Sequence, residues 1–128
     1  MGFEHAETGH ESVYTMYRRG VELLEDGSFA EAIVPLAEAA RQAPDKSSVR
    51  EALGRAYFRN SQYAEAATEF EAVVETHAVN DYAHFCLGRA LSLTGQTQRA
   101  RHHLALASNL RPERRDSRVY RDRLRDVA

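Results

Sequence analysis

The stretch Ser47–Asn80, SSVREALGRAYFRNSQYAEAATEFEAVVETHAVN, decides the fold. Leu53, Ala56, Tyr57 and Phe58 recur at helical spacing in its first half, and Tyr63, Ala66, Ala67, Phe70, Val73 and Val74 in its second. Asn60-Ser61 reads as a tight turn between two short helices. Both flanks copy the plan. A shift of 34 residues towards the N-terminus brings Gly54 onto Gly20 and Ala66 onto Ala32. The opposite shift brings them onto Gly88 and Ala100. One helix pair cannot bury both of its faces, so the repeat predicts a stack of pairs sharing one continuous core.

Working outward, the spacing predicts a helix from Val13 to about Glu25, capped by Ser12 and stopped at Asp26-Gly27. Ser28 with Glu31, and Ser48 with Glu51, read as capping boxes at the starts of the next two helices. Pro35 falls inside a helical pattern, where it removes a backbone bond and crowds the carbonyl of Glu31, so a bend is expected. The third pair starts near Asn80-Asp81. It runs through Tyr82, Phe85, Leu87 and Leu91 to Gly95, then through Ala100, Leu104, Ala107 and Leu110 to Pro112. Glu113 to Val127 reads as a seventh helix with a narrow apolar face of Val119, Tyr120, Leu124 and Val127. That face suits the last element of an array, with the rest in water. Residues 1–12 are polar and without period, and read as a loose tail.

Period and columns together resemble the tetratricopeptide repeat family. The columns are Gly20, Gly54 and Gly88; Ala32, Ala66 and Ala100; Leu23, Tyr57 and Leu91; Leu36, Phe70 and Leu104; and Ala39, Val73 and Ala107. Phe29 and Tyr63 add an aromatic after the turn. The resemblance implies an all-α fold of three helical hairpins, 13–46, 47–80 and 81–112, with a tail at 1–12 and a capping helix at 113–128. It also implies stacking in a right-handed superhelix. The chain departs from the family's pattern in places. Arg19 stands where Leu53 and Leu87 stand in the other units, and Met16, Arg50 and His84 hold a position that usually carries a bulky aromatic. Arg19 implies that the first unit's edge is solvated, or is covered by the tail or by another subunit.

Composition narrows the function. An apolar content of 43% can supply a core, and a formal charge of -2 argues against wholesale attraction to nucleic acid. Sixteen Arg against the single Lys46, with abundant Ala, point to a GC-rich bacterial genome. The lone Cys86 excludes an internal disulfide and fits a cytoplasmic protein. No secretory signal and no membrane-length apolar run is visible. His102 and His103 are adjacent on a helix and point about 100° apart, which does not suit one metal ion. His84 reads as a packing histidine, and Cys86 as a buried or half-buried structural thiol. With no converging catalytic set and no phosphate-cradling loop, neither enzyme activity nor a cofactor is expected. The C-terminal run carries Arg111, Arg114, Arg115, Arg118, Arg121, Arg123 and Arg125, partly offset by four carboxylates. It reads mainly as a solvated cap helix, with a docking face for RNA or an acidic partner as the lesser alternative.

In the family it resembles, the first helices of the pairs line a concave groove that holds a peptide or a partner helix. Carried over by register, the groove would be lined by Tyr14, Tyr17 and Arg18, by Arg55, Phe58 and Arg59, and by Tyr82, Phe85 and Arg89. Aromatic and Arg residues dominate binding hot spots. The family's chaperone-binding branch clamps a carboxylate with Lys and Asn, and this chain has Tyr17, Val21, Ala52, Tyr82 and Cys86 in those places. The resemblance therefore implies a protein-binding module for a segment with an acidic group beside an apolar one, and not that chaperone clamp. Self-assembly through the ends of the stack is the alternative.

Overall fold

Seven α-helices and no strand make up the described residues, 11–113 and 115–125 of the computed structural model. They are α1 (Val13–Glu25), α2 (Phe29–Gln42), α3 (Ser47–Arg59), α4 (Tyr63–Thr76), α5 (Asp81–Leu93), α6 (Thr97–Leu110) and α7 (Arg115–Arg125). Each helix packs on the next along the chain, so three antiparallel hairpins stack side by side and α7 closes the series against α6. No described helix is long and apolar enough to cross a membrane.

The glycine column sets the distance within each hairpin. A Cβ on Gly54 would stand 2.8 Å from the Phe70 ring, and one on Gly88 would stand 2.6 Å from Leu104. Gly20 meets Leu36 in the same way. The sequence suggests that Phe70 fills the space to the neighbouring pair. The structure seats it over Gly54 of its own pair, fully buried, and also in the core cluster it shares with α5 of the next pair. Leu36 and Leu104, also fully buried, sit over Gly20 and Gly88 of the other hairpins. The core runs without a break. One cluster joins α1, α2 and α3 and another joins α4, α5 and α6, with Tyr57 packed against both.

The hairpin turns follow one geometry. Gly27, Ser61 and Gly95, each 34 residues apart, have φ of 84°, 65° and 83°. The next residue's N–H then donates back to the preceding helix: Ser28 to Leu23, Gln62 to Tyr57 and Gln96 to Leu91, at 2.8 to 2.9 Å. This overturns the capping box at Ser28. Its N–H is already engaged by Leu23, so Glu31 has nothing to reach back to, and the Ser28 side chain makes no cap bond. The box at Ser48 fails for another reason. Helix α3 begins one residue earlier, at Ser47, and the Glu51 carboxylate is held elsewhere. The cap expected at Ser12 is present, accepting from the Thr15 N–H, and Asn80, where the third pair was expected to start, caps α5 by accepting from the Ala83 N–H. Pro35 sits inside α2 and is buried.

At the open edge, Arg19 pairs with Glu11. In α7, Tyr120 and Leu124 pack against Phe85, Cys86 and Leu104, but Val119 is 45% exposed, contrary to the sequence reading. Val119 is one residue from Tyr120, about 100° round the helix, and the docked face is too narrow to include both. Val127 lies outside the described residues.

Candidate functional site

A pocket of about 240 Å³ lies between α3 and α5. Arg55, Phe58 and Arg59 line it from α3, and Tyr82, Phe85, Cys86 and Arg89 from α5. The intervals of three and four residues put each set on one helix face. Phe70 of α4, fully buried, reaches the pocket from below.

The arginines of this pocket differ from the others. Among the described residues from Arg18 to Arg111, Arg18, Arg19, Arg41, Arg50, Arg99 and Arg111 each meet a carboxylate. Arg101 donates to the Leu124 carbonyl. Arg55, Arg59 and Arg89 do neither; two of them lie on aromatic rings. Arg59 lies 4.4 Å from the centre of the Phe29 ring. Arg89 lies between two rings, 4.9 Å from Phe58 and 4.6 Å from Tyr120. Stacking fixes the plane of a guanidinium and leaves its edge donors available.

Phe85 is buried and tilted against Tyr120, with ring centres 5.9 Å apart. Burial raises the pKa of both Tyr82 and Cys86, Cys86 to about 12. The half-buried thiol is thus protonated at neutral pH and acts as an apolar lining atom rather than a nucleophile.

Six of the nine residues carried over by register come together here: Arg55, Phe58, Arg59, Tyr82, Phe85 and Arg89. The three from α1 do not. Tyr14 is 67% exposed and shares a separate depression with Arg18. Arg18 pairs with Glu22 at 3.2 Å and lies over the Tyr14 ring. Tyr17 packs half-buried on the first core cluster. Phe70 lines the pocket although the sequence did not assign it there; Tyr120, not itself a lining residue, lies under Arg89 and was not foreseen either. It falls in no 34-residue column, and its place against Arg89 depends on how α7 docks.

The histidines make a packing pair. His84 is buried, its Nε2 lies 2.8 Å from the Ala78 carbonyl and its Nδ1 lies 3.0 Å from Nδ1 of His103. A carbonyl only accepts, so Nε2 of His84 carries the proton and, in the neutral pair, His103 donates to His84. Burial, reinforced by the neighbouring His84 and His102, lowers His103 from the ordinary 6.5 to about 4. Among the described residues, no group of three or more His, Cys, Asp or Glu could hold a metal ion.

Helical hairpins in tandem, joined by turns of one geometry, define a helical repeat protein. Residues 23–84 match a family model described as Tetratricopeptide repeat. The fold is that of solved tetratricopeptide structures. The first such domain of Spaghetti (RPAP3), bound to the HSP90 peptide SRMEEVD, matches with a TM-score of 0.85 and 16% identity, covering 91% of this chain and 92% of that one. MamA from Desulfovibrio magneticus RS-1 matches with a TM-score of 0.86 and 20% identity over 93% of this chain and 67% of that one. YrrB, described as having an unusual peptide-binding site, matches with a TM-score of 0.83 and 19% identity over 91% and 60%. No curated protein matches the sequence.

Proposed function

We propose that this chain is a non-enzymatic interaction module that binds a segment of a partner protein in the pocket between α3 and α5. The observation that carries this reading is the set of three arginines with no carboxylate partner among the described residues, gathered round an aromatic floor. An acidic group of the partner would take the free guanidinium edges, and an adjacent apolar side chain would enter among Phe58, Tyr82 and Phe85. Charge-assisted bonds contribute about 1.5–3 kcal/mol each. Two of them with one aromatic contact give a micromolar affinity, about -8 kcal/mol. Peptide binding by the Spaghetti domain and by YrrB supports this use of the fold. Arg19, the departure that favoured self-assembly, has its partner in Glu11 of the same chain.

Peptide display tests the proposal. Selection on the wild-type protein is expected to enrich Asp or Glu next to an aromatic or large aliphatic residue. The same pool should lose at least tenfold in affinity for a folded Arg55→Glu/Arg59→Glu variant. Enrichment of basic peptides, or equal binding to the variant, would refute it.

A further inference from the structure

Glu51 and Arg55 stand four residues apart on α3, acid first, which is the arrangement that ordinarily closes an ion pair along a helix. Here they do not pair. Glu51 Oε2 accepts from Asn80 Nδ2 at 2.6 Å, in a part-buried bond between residues 29 apart in sequence. Arg55 is left without a carboxylate at the pocket wall. The other end of the same carboxamide caps α5, with Oδ1 of Asn80 accepting from the Ala83 N–H at 3.0 Å. Both ends of Asn80 are therefore in use, one to start α5 and the other to hold a carboxylate on α3.

We infer that Asn80 is a positioning residue of the groove, which keeps the Arg55 guanidinium open to an anionic group of the ligand by holding the Glu51 carboxylate. The inference rests on the groove reading above. The chemistry of Asn accounts for its place here. Of the residues that cap helices well, Asn alone offers an N–H donor besides the capping oxygen. Its bond to a carboxylate is charge-assisted, and so stronger than one between neutral groups. Ser12 and Lys46, at the two earlier register positions, have no comparable bond to another helix among the described contacts. If Asn80 released Glu51, the acid would lie one turn from Arg55 and would compete with the ligand from within the molecule.

Asn80→Ser tests this, because Ser still caps α5 while its hydroxyl is too short to reach Glu51. The probe is benzoate, which places a carboxylate beside an apolar ring, titrated by NMR. Asn80→Ser should weaken benzoate binding roughly two- to fivefold, the factor that an exposed ion pair of this kind controls. Adding Glu51→Gln should restore the wild-type value. Wild-type affinity in a folded Asn80→Ser protein, or failure of Glu51→Gln to restore a loss, overturns the inference.

A second readout needs no ligand. Exchange of the Arg55 Nε–H with water should slow in Asn80→Ser, as the pair to Glu51 forms, and recover in Asn80→Ser/Glu51→Gln. An unchanged rate overturns the role of Asn80. Arg55→Gln separates the two readings. If it leaves benzoate affinity unchanged, or if the wild-type protein does not bind benzoate, the groove reading falls, while the exchange measurement still decides the role of Asn80.

Discussion

Ser61 is the non-glycine residue with positive φ among the described residues, at 65°. The equivalent turn positions hold Gly27 and Gly95. A left-handed conformation costs an L-residue roughly 1–2 kcal/mol, part of which glycine's greater freedom in the unfolded chain offsets. Ser61→Gly is therefore expected to raise stability by about 0.5–1 kcal/mol, read from the urea midpoint. His103 makes the second prediction at this scale. Unfolded, it takes up a proton near pH 6.5; folded, it resists until about 4. Its contribution is complete above pH 6.5 and is lost as pH falls from about 6.5 through about 4. Urea midpoints between pH 7.5 and 4 should show this fall, and His103→Gln should flatten it. Residue type announced a packing role for His84, but the contact with His103 joins positions 19 apart on different helices, and no local pattern shows it.

Among elements, the starts of helices separate what residue type allows from what geometry uses. Ser12 and Ser28 look alike as caps in the sequence. Ser12 has an extended ψ of 156° and accepts from Thr15, whereas Ser28 has ψ of 67° and no side-chain cap bond. Ser12→Ala should therefore cost about 1 kcal/mol and Ser28→Ala no more than about 0.5, measured by chemical denaturation. Equal losses would show that Ser28 caps in solution. Helix α7 follows the same logic. Its existence was legible from apolar spacing, but its docked face was only partly so. Tyr120 and Leu124 face the array and Val119 does not. Since Arg89 lies over the Tyr120 ring, the docking of α7 also bears on an arginine that lines the pocket.

At the scale of the molecule, the core clusters join through Tyr57, Cys86 and Leu124, so the hairpins should unfold together rather than one by one. Leu36→Ala and Leu104→Ala, which empty sites over Gly20 and Gly88, are each expected to cost about 2–5 kcal/mol. Hydrogen exchange should report the same loss in α1 and α6 for either variant. Separate transitions at the two ends would show that the array is not one cooperative unit.

The sequence by itself determined the helices, the 34-residue period and the packing columns. Those are local spacings repeated three times, and three copies raise a weak pattern above chance. Register carried over from the resembled family also named residues of α3 and α5 that line one pocket, since intervals of three and four residues place them on one face of each helix. Tertiary structure decided the rest. It turned Tyr17 into the core, let Glu22 neutralise Arg18, placed Tyr120 against Arg89 and tied Glu51 to Asn80. Each of these outcomes except the Arg18 pair depends on a partner from another helix, and which helices meet is set by how the hairpins stack. The Arg18–Glu22 pair is local, but the spacing that permits it also permits Glu51 with Arg55. Only the position of Asn80 shows why one pair closes and the other stays open.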